Sequence, residues 1–162
     1  MKLGIIKEGK TPPDNRVPLT PVQCSEVHEK FTNVKVVVQT SKVRCFSDED
    51  YLKAGIQVQE DLSDCDVLLG VKEVPVDDLI PGKIYFFFSH TIKKQAYNRK
   101  LLQIILQKNI QLIDYEVLTG TNGSRIIGFG RFAGLVGAYS GIRAFGLRNE
   151  IFRLKPAYKC TG

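Results

Sequence analysis

Three apolar runs in this 162-residue sequence stop on groups that carry protons or charge. DVLLGVKE ends on Lys72 and Glu73, IYFFFSH on Ser89 and His90, and IQLIDYE on Asp114, Tyr115 and Glu116. A lysine and a histidine brought to one rim could act as acid and base near neutral pH, with Glu73 and Glu116 setting the local charge. Arg16 lies in the stiff loop PPDNRVPLTP, residues 12 to 21, after the first apolar run. Its planar fork suits a bidentate grip on a carboxylate or phosphate. Arg125, across an expected hairpin from the run ending at Glu116, is a second candidate for that grip. Each residue taken singly also has a plain structural reading: a solvated arginine, a satisfied histidine donor, a lysine–glutamate ion pair. Together they form a set, an anion clamp beside two acid/base groups.

Such a set needs elements that deliver it to one place. Short apolar runs alternate with helical segments along the chain, the pattern of an α/β domain with a mainly parallel, twisted sheet flanked by helices. Parallel strands send their carboxyl ends to one edge, where ligands of such sheets gather. The strand candidates are KLGIIKE, NVKVVVQ, DVLLGVKE, IYFFFSH, IQLIDYE and SRIIGFG. Thr20, Pro21 and Gln23 mark the start of a first helix as N-cap, first helical residue and capping-box partner. Ser47 opens a short second helix that stops at Gly55, and KQAYNRKLLQIILQKN reads as a third. The TNG at 121 to 123 reads as a turn pairing EVL with SRIIGFG, an antiparallel hairpin at one edge. A last helix runs from Arg131 to Leu147, with Gly134, Gly137, Ala138, Gly141 and Ala144 spaced for close helix packing. The residues from Ile151 onward show no strand or helix pattern, which suggests the front part of a longer protein.

Bulk properties narrow the function classes. A chain of this length buries about 68–70% of its unfolded surface, enough for a real core. Lysine plus arginine total 23 against 17 acids, a net charge of +6, but no run of five or six like charges occurs. The sequence has no tryptophan, and its basic residues do not interleave with aromatics as a nucleic-acid groove requires. Cys24, Cys45, Cys65 and Cys160 form no C-x-x-C pair and only two histidines accompany them, so no metal site is expected. No signal segment opens the chain and no apolar run approaches 18 residues, so the expected setting is the reduced cytoplasm, away from membranes. GFGRFA, residues 128 to 133, matches a G-x-G-x-x-A dinucleotide fingerprint with Glu150 about twenty residues on. No second parallel strand carries that acid, so the glycines read as packing residues where a hairpin enters a helix, and no cofactor-binding residue is assigned within this chain.

RVPLTP, GVKEVP, FFFSHT, LIDYE and GRFAGLVG, in this order, resemble the amino-terminal domain of the alanine dehydrogenase/pyridine nucleotide transhydrogenase superfamily. The combination GVKEVP, FSHTIKKQ and IDYE is most similar to its saccharopine dehydrogenase branch, over residues 2 to about 147. The resemblance implies a Rossmann-like substrate or cover domain at 1–130, an interdomain packing helix at 131–148 and, at 149–162, the start of a linker to an absent nucleotide-binding domain. NAD or NADP would be bound mainly by that domain, leaving this chain inactive alone. The resemblance further implies that Lys72 and His90 are the catalytic acid/base pair, that Arg16, Gln95, Arg125, Phe129 and neighbouring Lys93 contact substrate, and that Glu73 and Glu116 tune the charge. The implied reaction oxidises a CH–NH bond, interconverting saccharopine with an amino acid and a 2-oxo acid through an imine. Two alternatives stay open: alanine dehydrogenase chemistry, and a carboxylate-binding module without turnover. The expected partners are a small amino-acid or 2-oxo-acid substrate and the chain's own nucleotide-binding domain, with a homo-oligomer left open and neither nucleic acid nor membrane among them.

Overall fold

The computed structural model describes residues 1–160. They fall into two compact units, Met1–Ile126 and a second that starts at Ile127.

The first unit is built on six strands: β1 (Lys2–Ile5), β2 (Lys35–Gln39), β3 (Gln57–Gln59), β4 (Val67–Leu69), β5 (Ile84–Phe87) and β6 (Gln111–Asp114). Their order is β3-β2-β1-β4-β5-β6, and every pairing is parallel. Leu3, at the centre, is in register with Val36 on one side and Val67 on the other. Alternation of side chains splits the apolar runs between two faces. Val36 and Val38 join Ile5 in one cluster with Cys24, Tyr51 and Ile56, whereas Val37 joins Leu68, Tyr85 and Phe87 in the other with Leu101 and Ile105. Both faces are therefore covered, which is why these strands read as nearly continuous hydrophobic runs.

The helices supply that cover. α1 (Pro21–Lys30) starts on the expected capping box, with Gln23 N–H donating to Thr20 Oγ1 at 3.3 Å and Thr20 N–H to Gln23 Oε1 at 2.9 Å. α2 (Asp48–Lys53) is capped by Ser47 and carries three acids in its first turn, favourable against the helix dipole. α1 and α2 place Cys24 and Tyr51 on one face of the sheet; α3 (Arg99–Gln107) places Leu101 and Ile105 on the other. Burying each of those α3 side chains contributes about 2 kcal/mol.

Four sequence expectations change. The sheet has no antiparallel edge among the described residues: the turn at 120–124 forms, Thr119 bridges Arg125 and Ile126 N–H donates to Leu118 O at 3.0 Å, but this short hairpin does not join the sheet and SRIIGFG is not a strand. Ile126 is 65% exposed, so the segment has no apolar face to hold it on the sheet. β3, a three-residue edge strand with glutamine at both ends, was not anticipated because it carries almost no hydrophobic signal. α3 begins at Arg99, later than expected, because Lys94 adopts a left-handed conformation (φ 52°) that breaks the helical path. β4 stops at Leu69, so Lys72 stands in the bend beyond the strand and Glu73 directly after it.

In the second unit, α4 (Gly130–Arg148) spans 19 residues. Gly134, Gly137 and Gly141 have open space where a side chain would stand, so the close packing expected of that stripe is absent among the described residues. Gly146 is the exception, since a Cβ there would lie 2.4 Å from the ring of Phe152. Tyr139 also ties α4 to the following segment by donating its hydroxyl to Lys155 O at 2.8 Å. Among the described residues no helix is long and apolar enough to cross a membrane.

Candidate active site

All six strands run the same way, so the loops after β1, β4, β5 and β6 meet at one rim. β1 and β4 are the pair from which the chain order diverges in both directions, the position where open α/β sheets form a crevice.

At the β1/β4 corner, Asp14 receives three bonds from Arg16: its backbone N–H at 3.1 Å and Nε at 2.9 Å reach Oδ1, and Nη2 reaches Oδ2 at 2.5 Å. The arginine hydrogen bond holds the Asp14 carboxyl below its ordinary value, and Lys72 adds a smaller pull in the same direction. Lys72 and Arg16 thus share a carboxylate neighbour. Glu8, three residues past β1, accepts from the backbone N–H groups of Val71 at 2.6 Å and Lys72 at 2.9 Å. Burial raises the Glu8 pKa, and the two amide bonds oppose that rise without cancelling it.

At the β5/β6 corner, Glu116 is the hub. Its side chain is only 4% exposed. His90 Nδ1 lies 3.0 Å from Oε2, while Lys93 Nζ and Arg125 reach Oε1 at 3.1 and 3.4 Å. Burial pushes this carboxyl up, but the hydrogen bonds from His90 and Lys93 outweigh it and leave the pKa below its ordinary value. Glu116 is itself oriented, because its backbone N–H donates to Asp114 Oδ1 at 2.8 Å while Ser89 donates its hydroxyl to Asp114 Oδ2 at 2.5 Å. His90 has a left-handed backbone (φ 55°), uncommon for a residue with a side chain. Its carbonyl accepts from buried Asn98 at 3.2 Å, and its ring stacks on Phe88 with centroids 6.3 Å apart.

Glu73 joins the corners. Its Oε1 is 3.7 Å from His90 Nε2, and its Oε2 receives Lys10 at 3.4 Å. The imidazole therefore stands between two carboxylates, one next in sequence to Lys72. Gln95 accepts the Tyr97 hydroxyl at 2.6 Å and lines a cavity of about 380 Å³ with Thr91, Lys94 and Arg99. Eight of the nine site residues singled out from the sequence and its resemblance therefore have a place at or beside this rim. The ninth, Phe129, belongs to the second unit, where it is the N-cap of α4.

The family model for the alanine dehydrogenase/PNT N-terminal domain matches residues 4–136. The chain belongs to that family. Its match to the bovine (Bos taurus) mitochondrial alpha-aminoadipic semialdehyde synthase is 42% identical over 137 residues, covering 83% of this chain and 14% of that protein. The NAD(+), L-lysine-forming saccharopine dehydrogenase of Emericella nidulans is 32% identical over 133 residues, covering 78% of this chain and 35% of that protein. A solved L-alanine dehydrogenase shares the fold with a TM-score of 0.62 at 24% identity, over 76% of this chain and 35% of that one. The chain thus spans about one seventh of the bovine relative it matches. The fungal relative and the solved structure are dehydrogenases by name, and this member of the alanine dehydrogenase/PNT N-terminal family shares the fold of the latter.

The residues after β1 do not fit the diphosphate of a dinucleotide. A Cβ on Gly9 would lie 2.6 Å from the ring of Pro75, so the space a glycine loop would leave for phosphate is filled by protein. Glu8 and Asp14 flank the same turn with carboxylates, the wrong charge for a phosphate. The glycines at 128 and 130 enter α4 without a preceding strand. Among the described residues no group of three or more His, Cys, Asp or Glu could hold a metal ion. The thiols of Cys24 and Cys65 are buried, and burial pushes their pKa values up to about 12 and about 11, which makes them poor nucleophiles.

Sequence reasoning missed Glu8, Lys10, Asp14 and Asn98. Glu8 was within reach of the rule that selected Glu73, since an acid just past a buried parallel strand must stand at the rim. Asn98 gave no signal, because its role is to bond a carbonyl eight residues earlier.

Proposed function

We propose that this chain is the substrate-side domain of an NAD(P)-dependent oxidoreductase acting on CH–NH bonds, of the saccharopine dehydrogenase kind. One observation carries the reading: His90 Nε2 lies 3.7 Å from Glu73, the chain neighbour of Lys72, with Arg16 on Asp14 at one corner of the rim and Arg125 on Glu116 at the other. That spread suits a substrate with carboxylates at more than one end and a nitrogen between them. Saccharopine has three carboxylates and one secondary amine. The name of the fungal relative, an NAD(+), L-lysine-forming saccharopine dehydrogenase, supports the same substrate.

In this reading Arg16 and Arg125 hold substrate carboxylates, and Gln95 and Lys93 extend the grip. Each clamp must exchange a protein carboxylate for a substrate one, Asp14 for Arg16 and Glu116 for Arg125, so binding gains come from geometry more than from new charge pairs. Hydride acceptance belongs to a nicotinamide held outside this chain, whose own residues do not fit it. The work left here is proton transfer. The secondary amine loses its proton as the imine forms, water adds to the imine carbon, and the carbinolamine collapses to an amine and a 2-oxo acid when its nitrogen is protonated and its hydroxyl deprotonated. Lys72 and His90 perform these transfers, with Glu73 and Glu116 balancing the charge of both. The isolated chain is then inactive, α4 serves as the packing helix to the nucleotide-binding domain, and 149–162 begin the linker. The four free thiols suit a reducing compartment such as the cytoplasm.

The test is reduction of nicotinamide, followed by absorbance, by the natural-length protein offered saccharopine and alanine separately. Turnover with saccharopine alone is expected. Turnover with alanine alone would discard the large-substrate reading, and binding of either without turnover would leave only a carboxylate-binding module.

A further inference from the structure

We propose that Glu8 is a positioning residue, whose carboxylate clamps two consecutive backbone amides and thereby fixes the bend that presents Lys72. The inference rests on the acid/base reading of Lys72. Its observations are independent of that reading.

The regular ladder between β1 and β4 ends with Ile6 N–H donating to Leu69 O at 2.9 Å. Beyond it the chain after β4 has no backbone partner on the β1 side, because the β1 segment departs toward Asp14. Glu8 replaces that partner, one oxygen on Val71 N–H at 2.6 Å and the other on Lys72 N–H at 2.9 Å. In a straight strand, successive N–H groups point to opposite sides. Both can reach one carboxylate only because residues 71 and 72 form a bend.

The other side of the bend is held too. Gly70 N–H donates to Phe86 O at 2.9 Å, and Val71 O accepts from Phe88 N–H at 3.1 Å. Gly70 makes the arrangement sterically possible. A Cβ there would stand 2.7 Å from Ile6 Cδ1 and 3.5 Å from Glu8 Oε1. The strand end is thus pinned between β1 through a side chain and β5 through the main chain, two residues before Glu73 and its 3.7 Å approach to His90.

A lysine side chain has a long flexible stem, so the reach of its amine depends on where its Cα is fixed. Glu8 does this without touching substrate. Glutamine cannot substitute: its oxygen accepts from one amide, while its NH₂ faces the other donor. Aspartate keeps both acceptors on a shorter arm and should restore part of the effect.

The experiment compares Glu8→Gln, Glu8→Asp and Lys72→Met in the natural-length enzyme. It measures kcat, KM for saccharopine, and backbone hydrogen exchange in the short peptide spanning Val71 and Lys72. Glu8→Gln should speed exchange in that peptide, lower kcat about tenfold and leave KM within about twofold, an effect of the size a misplaced proton-transfer group produces. Glu8→Asp should lie between Glu8→Gln and wild type on exchange and kcat. Unchanged exchange in Glu8→Gln overturns the clamp. Faster exchange with unchanged kcat, while Lys72→Met is impaired, reduces Glu8 to a structural contact and also overturns the proposal. A rise in KM alone would make Glu8 a binding residue instead. Normal turnover by Lys72→Met is a different failure, that of the acid/base reading itself. Should Glu8→Gln not fold, the same criteria apply to Glu8→Asp.

Discussion

The two corners of the rim hold their proton-carrying groups by opposite means. At β1/β4, Lys72 is fixed through its backbone, by a carboxylate on its own N–H and its neighbour's. At β5/β6, His90 is fixed through its ring, by Glu116 at 3.0 Å, with a strained backbone held by Asn98 behind it. The difference follows from the side chains. An imidazole is short and rigid, so one hydrogen bond sets both its orientation and its tautomer, whereas an ammonium on four methylenes gains little from a single partner. The two carboxylates differ accordingly. Glu8, answered by neutral amides, has its pKa raised by burial; Glu116, answered by cations, has its pKa lowered despite burial.

If the corners supply one acid/base pair, removing either group should be nearly equivalent and the largest effect of all. Lys72→Met and His90→Gln in the natural-length enzyme are each expected to lower kcat by about 10²–10⁴-fold, the range for lost general acid–base catalysis, with unfolding midpoints little changed. A variant that turns over normally would break the pairing and assign all proton transfer to the other corner.

Glu116→Gln sharpens the contrast from the structural side. It leaves His90, Lys93 and Arg125 around a neutral amide at a buried position and should destabilise the first unit by about 2 kcal/mol at pH 7. Urea unfolding reads this directly, and a loss smaller than that of an exposed ion pair would show that Glu116 is not the hub. Arg16→Ala should do less. Arg16 is exposed, and its removal is expected to raise KM for saccharopine about tenfold, the low end for a charge-assisted contact, with kcat little changed. An unchanged KM would remove the β1/β4 clamp and leave Arg125 to hold the substrate.

Most of this layout was legible in the sequence because it depends on parallel strands. IYFFFSH and DVLLGVKE are too apolar to be exposed, parallel pairing is the arrangement that buries both faces, and it also aligns the polar ends. Lys72, His90, Glu73 and Glu116 follow from that one step. The antiparallel edge was misread because a turn signal such as TNG specifies a reversal but not the burial that must follow it. β3 was missed because a polar edge strand pairs through its backbone, which leaves no trace in side-chain pattern. The left-handed backbone of His90 had little sequence signal either, since histidine is enriched at positive φ but adopts it in only a small minority of cases, and the bonds to His90 come from residues 98 and 116.

The smallest expected effect tests the electrostatic contrast itself. Glu116 has a folded pKa below its unfolded value, so its ionised form stabilises the fold above the ordinary carboxylate range, and this contribution is lost as pH falls through the lowered value. Glu8 has a folded pKa above its unfolded value. Its contribution is fully present below the unfolded value near ~4.3 and is lost as pH rises through the raised one. The stability of wild type minus that of Glu116→Gln should therefore increase from acid to neutral pH, and that of wild type minus Glu8→Gln should decrease over the same window. Each change should be about 1 kcal/mol or less, resolvable as urea midpoints taken through that window. The lost amide bonds of Glu8→Gln shift its curve by a constant and leave the slope intact, so the sign of the slope is the measurement. Slopes of the same sign would mean that the amides compensate the burial of Glu8 as fully as the cations compensate that of Glu116.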